Sequence, residues 1–229
     1  VLRGVCRWLA LPALLLLAST PGYSATRVAC PVPGVILFSE RLEDGAMACQ
    51  AVAATLVFMG DHGFRTNARF TIDVVDRPLN LHGTEVTGTY DSRRFHIEVP
   101  GFSQAQQMAQ RHPPFRMTMS HALWRSFVAH EVAHAVAQAN FRVQQSLLAA
   151  HEYIAYVVQL ATLPEPVRRE LLAGFSNAAF RLDREINITF LQLDPEVFAV
   201  KAYRHFVAQP DPGAFFQSVL GGRLSIPRY

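Results

Sequence analysis

From Ala122 to Ala139 the chain contains no proline and no glycine, and it is dense in alanine, leucine, valine and phenylalanine. Such a stretch predicts one buried helix, with Ser120 placed to cap its start. In its middle stands His130-Glu131-Val132-Ala133-His134. Four residues along a helix turn it by about 400°, so both imidazoles leave the same face and reach one point. Glu131 is rotated by about 100°, so it stands beside that point without joining it. Burying these three polar groups among Phe127, Val128, Val132 and Val136 is costly unless something compensates them. A metal ion does so, and zinc suits two imidazoles, one carboxylate and a water. Such an ion acidifies its water and polarises a carbonyl, and a carboxylate placed like Glu131 takes and returns the proton.

A third ligand is expected from a following helix. Glu152 is the leading candidate, and Asn140 to Ser146 provide room for a turn between the two helices. A helix through Glu152 carries Tyr156 on the same face, with the small Ala155 close by. His151, directly before Glu152, is the competitor. A three-histidine site would suit the pattern HExxHxxGxxH, but Ala137 and Asn140 occupy the glycine and third-histidine positions.

The helix His130 to His134, taken with His151-Glu152-Tyr153-Ile154-Ala155-Tyr156, resembles the gluzincin-type zinc metallopeptidases, the superfamily of thermolysin and the membrane alanyl aminopeptidases. Many relatives carry glutamate, glycine, any residue and alanine in the second helix. Glu152 and Ala155 match that pattern, and Tyr153 replaces the glycine. The resemblance covers roughly residues 120–160. It implies a zincin-like fold, zinc as cofactor, a peptide or protein as substrate, His130, His134 and Glu152 as metal ligands, and Glu131 as general base. It also implies an edge strand that pairs with an extended peptide, for which Arg94 to Val99 is the candidate; a free edge offers main-chain hydrogen bonds to such a chain. Relatives often stabilise the oxyanion with a tyrosine or histidine from a later helix. Tyr203 and His205 are the candidates for that role, with Tyr156 and Tyr153 behind them.

The rest of the chain predicts an α+β fold: a small mixed sheet with one packed helix, followed by a mostly helical half that carries the metal site. Val35 to Ser39, Phe70 to Val75, Glu85 to Tyr90 and Arg94 to Val99 read as strands. Asp44 to Met59 reads as a helix ended by Gly60. Helices are expected over Gln145 to Leu163, Pro166 to Phe180, Asp194 to about Val207 and Pro212 to Leu220. The change of period near residue 105 divides residues 26–229 into two halves, 26–104 and 105–229, of one domain. Phe198, Phe206, Phe215 and Phe216 are expected in its core.

Residues 1–25 have the layout of a secretory signal peptide: Arg3 and Arg7, an apolar run from Trp8 to Ala18, then small and turn-forming residues to Ala25. The run is too short to span a bilayer, so no stable membrane span is expected once it is cleaved. Periplasmic or secreted placement follows. Cys6 would leave with the signal, and Cys30 and Cys49 remain as a plausible disulfide or as two buried thiols. A bond there would stabilise by about 2–4 kcal/mol. The whole chain carries 21 basic and 18 acidic residues, net +3. That is too little for a nucleic-acid partner. A partner protein remains compatible with so small a catalytic unit.

His62, His82, His96, His112 and His121 read as surface or locally bonded histidines. Asp183 and Glu185 read as a solvent face, with orientation of a ligand histidine as the alternative. Three functions therefore stand side by side. The first is hydrolysis of a peptide bond by metal-activated water. The second is an inactive exported binding or structural protein on the same fold. The third is zinc-dependent hydrolysis of a non-peptide amide.

Overall fold

A computed structural model describes residues 25–81, 83–144 and 146–224. The hydrophobic stretch of the expected signal, His82 and Gln145 lie outside them. Among the described residues the fold is α+β. Its centre is a five-stranded mixed sheet in the order β1-β2-β3-β7-β6. The strands are β1 (Thr26–Val28), β2 (Val35–Ser39), β3 (Phe70–Val75), β6 (Thr89–Asp91) and β7 (His96–Pro100). The pairs β2–β3 and β3–β7 run parallel, while β1 and β6 run antiparallel to their neighbours at the two edges. The hairpin β4 (Leu79–Leu81) and β5 (Thr84–Val86) forms a separate two-stranded sheet.

The stretch read as one strand, Glu85 to Tyr90, is thus divided at Thr87-Gly88 between two sheets. The expected edge strand is also corrected. Ile97 in β7 sits between Ile72 of β3 and Tyr90 of β6, so β7 is internal and β6 holds the edge. The chain of β6 turns back through Ser92 to Phe95 and covers the side that would have been free.

One face of the sheet, including Leu37, Ile72 and Ile97, is buried under helices. The first is α1 (Leu42–Asp61), which is long and apolar enough to cross a membrane by length and composition. Here it packs against β2 and against α3 (His121–Gln138). The disulfide Cys30–Cys49 fastens the chain after β1 to this helix. A short helix α2 (Phe102–Arg111) follows the sheet, then α3, α4 (Leu148–Ala161), α5 (Glu165–Ala173), α6 (Ile188–Leu193), α7 (Pro195–Val207) and α8 (Pro212–Leu220). The α5 segment is shorter than the expected 166–180, because Gly174 ends it. Ser120, Asp194 and Asp211 each accept a backbone N–H at a helix start. Buried residues from Val35 to Leu224 form one core cluster, and Phe198, Phe206, Phe215 and Phe216 belong to it.

Candidate metal centre

Helix α3 is the spine of the site. Its start is tied to the sheet by Trp124, whose indole N–H donates to the Pro100 carbonyl at 2.9 Å. Its body is buried, with Ala129, Ala133 and Ala137 spaced one turn apart. Residues this small permit close approach, and α4 packs against α3 with the equally buried Ala155. The two helices bring His130, His134 and Glu152 together at the floor of a cleft of about 990 Å³.

The Nε2 atoms of His130 and His134 lie 3.1 Å apart. Glu152 Oε2 stands 3.4 Å from His130 Nε2, and Glu152 Oε1 stands 3.6 Å from His134 Nε2. This group can hold a metal ion. The chemistry of the donors supports it. Two imidazole nitrogens this close repel when both are protonated and share at most one proton when they are not, whereas a cation satisfies both lone pairs at once.

The other nitrogen of His130 is also engaged. Its Nδ1–H donates to Gln159 Oε1 at 3.0 Å, which leaves Nε2 to face the cluster. Gln159 donates in turn toward Ser126 Oγ at 3.5 Å, and Ser126 donates to the Leu123 carbonyl at 2.6 Å. This chain fixes the imidazole from behind. Gln159 went unnoticed in the sequence, although it lies two turns beyond Glu152 on the same helix face; following the period past Tyr156 would have reached it. Asp183 and Glu185 do not serve this purpose. Asp183 pairs with Arg223 at 2.7 Å, and Glu185 accepts the Arg181 N–H.

Charge balance in the cluster follows from burial and proximity. Burial pulls His134 down to about 3, with His130 and His151 adding repulsion against the attraction of Glu152. Burial alone would raise Glu152, but the hydrogen bond from His130 and the charges of the histidines hold it down at about 2. His130 is raised despite its burial, because Glu152 accepts its hydrogen bond and both Glu152 and Glu131 are negative. The Glu152 carboxylate thus favours positive charge beside it, which a bound cation would supply.

Glu131 does not join the donor set. It is 7% exposed and faces the cleft. Burial pushes its carboxyl up to about 7; His130 opposes the shift and Glu152 adds to it. Gly88, just before β6, is pressed against it: a Cβ there would come within 2.6 Å of Glu131 Cγ. His151 borders the cleft outside the donor set, bonded to Ser146 Oγ at 2.5 Å and packed against the Phe141 ring.

Tyrosines border the cluster on two walls. Tyr156 of α4 sets its ring 4.6 Å from that of His130. Tyr90 of β6 lies parallel to His134, with ring centroids 6.5 Å apart. Burial, with Asp91 nearby, pushes Tyr90 up to about 12. Tyr90 and Gly88 were not singled out in the sequence.

The structure does not bring Tyr203 or His205 into the cleft, which corrects their assignment as oxyanion donors. His205 Nδ1 meets the Tyr153 hydroxyl at 2.9 Å, and Gln209 Nε2 donates to His205 Nε2. Tyr203 lies beneath the Arg168 guanidinium, 5.8 Å away. The reason is helical phase: Glu152 and Tyr153 are adjacent on α4 and point to different clusters. Of the remaining histidines, His62 bonds the Phe58 carbonyl, His96 pairs with Asp73 at 3.0 Å and His121 packs against the Phe102 ring. His112 lines the cleft.

A family model covers residues 36–229, the whole of this architecture after β1. The chain belongs to DUF6639, a family of unknown function. No curated protein and no solved structure matches it.

Proposed function

We propose that this member of DUF6639 is an exported zinc-dependent peptidase. The observation that carries the reading is the convergence of three metal donors beside a buried carboxylate that is not one of them. Tetrahedral zinc with bonds of about 2.0–2.2 Å needs donor atoms about 3.3 Å apart. The two Nε2 atoms are 3.1 Å apart, His130 Nε2 is 3.4 Å from one Glu152 oxygen and His134 Nε2 is 3.6 Å from the other, which are separations of that size.

His130, His134 and Glu152 would hold a zinc ion, which would lower the pKa of a water and polarise the carbonyl to be attacked. Glu131 supplies the proton transfers. Its carboxylate takes one proton from the attacking water as the new C–O bond forms. It then delivers that proton to the amide nitrogen as the C–N bond breaks, so one water and one amide become one carboxylic acid and one amine. A carboxyl raised toward 7 by burial is matched to a transfer in both directions near neutral pH. Gly88 leaves the space that Glu131 occupies and holds it against the β6 side of the cleft.

The substrate class follows from the wall. Strand β6 is an edge, and Thr87, Gly88, Thr89 and Tyr90 line the cleft. An extended peptide laid beside it gains main-chain hydrogen bonds that a compact amide would not use. The disulfide Cys30–Cys49 supports export, because such bonds persist in oxidising compartments.

The test combines metal and turnover. Purified protein supplied with zinc should hold about one ion per chain, as four-coordinate sites do, and should cleave members of a mixed peptide library. Glu131→Gln should keep the ion and lose roughly 10²–10⁴-fold in rate. A zinc-loaded wild type that leaves every peptide intact would end the peptidase reading.

A further inference from the structure

Among the described residues, two buried side-chain polar atoms have no hydrogen-bond partner: Thr55 Oγ1 and Tyr90 Oη. Thr55 sits within the packed face of α1. Tyr90 is different, because it lines the cleft that holds the metal donors. A buried hydroxyl without a partner weakens a fold, and phenylalanine would fill the same space without that cost. An orphaned donor at the edge of a binding cleft is therefore a donor held ready for something that enters the cleft.

Strand geometry places it. Tyr90 pairs opposite Ile97, whose side chain is buried on the helix side of the sheet. Gly88, just ahead of the strand, is pressed against Glu131. The phenol ring lies parallel to the imidazole of His134, with an angle of 3° between the planes. Tyr90 thus stands on the strand wall, next to one candidate metal donor and in the same cleft as the candidate general base. Tyr156 occupies the other wall, against His130.

We propose that Tyr90 is a catalytic residue of this site, its hydroxyl donating a hydrogen bond to the carbonyl oxygen of the bond being cut as negative charge gathers there. The proposal rests on the peptidase reading. It moves the oxyanion role from the late helix α7 to the edge strand that precedes α3. A substrate lying along β6 would then be held by the strand's main chain and polarised by a side chain of the same strand. Register and chemistry are coupled: a one-residue slip of the peptide moves its carbonyl away from Tyr90.

The experiment compares wild type, Tyr90→Phe and Tyr156→Phe. Each is loaded with cobalt(II), whose visible spectrum reports the ion's surroundings. Three quantities are read: turnover of a cleaved peptide, affinity for a phosphonamidate analogue of that peptide, and thermal midpoint. Tyr90→Phe is expected to keep its metal and lose about 10²–10³-fold in kcat, with KM little changed. It should bind the phosphonamidate correspondingly more weakly and melt no lower than wild type. Tyr156→Phe should lose less in both kcat and phosphonamidate affinity. Unchanged kcat and phosphonamidate affinity in Tyr90→Phe, on a wild type that binds cobalt and cleaves, would overturn the role of Tyr90 and leave the peptidase reading standing. Loss of metal together with a fall in the thermal midpoint would overturn it too, by assigning Tyr90 to structure. A wild type that neither holds metal nor cleaves would overturn both.

Discussion

Helix α4 serves two buried polar clusters from adjacent residues. Glu152 reaches His130 and His134 on α3, and Tyr153 reaches His205 on α7. Both clusters contain histidine, both are largely buried, and both join α4 to a neighbouring helix. Their hydrogen-bond accounts differ. In the Tyr153 cluster each ring nitrogen of His205 has its own partner, Tyr153 on one side and Gln209 on the other. Around Glu152 the two Nε2 atoms point at each other, and one carboxylate must serve both. The first arrangement is closed and holds a fold together. The second has lone pairs to spare and opens into a cleft. A buried histidine signals function when its nitrogens converge with other donors, and structure when each is already satisfied.

That contrast can be broken at several points. The largest effect is expected from Glu152→Ala, which should abolish stoichiometric metal binding, while His205→Phe should retain it; metal analysis of both dialysed proteins decides the matter. If His205→Phe lost the ion as well, the two clusters would not be independent. Gln159→Leu comes next. It removes the acceptor behind His130 and should weaken metal affinity about 10–100-fold, measured by competition with a chelating dye. Gln209→Leu, its counterpart behind His205, should leave that affinity alone.

Tyr153→Phe leaves His205 Nδ1 buried without its partner and should cost about 1–3 kcal/mol. In a chain of this size that is a fall of several degrees in the thermal midpoint. The smallest effect is a pH dependence. Burial holds His205 below its ordinary value near 6.5, so the unfolded chain takes up the proton first. Stability from this group is complete above about pH 6.5 and is lost as the pH falls through the lower folded value. With metal-saturated protein, the thermal midpoint of His205→Gln should therefore drop less between pH 7 and pH 5 than that of wild type. An equal or steeper drop would show that burial of His205 is not what sets its charge.

Much of this architecture is legible in local pattern. The α3 helix, its Ser120 cap and the shared face of His130 and His134 follow from a period of 3.6 and the absence of breakers. Glu152 follows from the same period on the next helix, and the Asp194-Pro195 start of α7 from cap chemistry. Helices α2 and α6 escaped because they are short; α2 buries only Ala105, Met108 and Ala109 in an otherwise polar segment, and α6 buries only Leu191. The division of residues 84–91 between two sheets also escaped, since an alternating stretch does not say which partner takes each half.

The sequence by itself determined the helix of His130 and His134, the helix of Glu152 and the α+β order of elements, because each depends on contacts within a few residues. Strand order, and with it the identity of the cleft wall, came only with the tertiary structure. So did the pairing of Tyr153 with His205 and of Gln159 with His130. These depend on which surfaces meet across 29 and 52 residues of chain. Two neighbours on a helix differ by about 100°. That rotation sends Glu152 to the cleft and Tyr153 to the core, and only the packing of α3 and α7 on either side of α4 decides which direction is which.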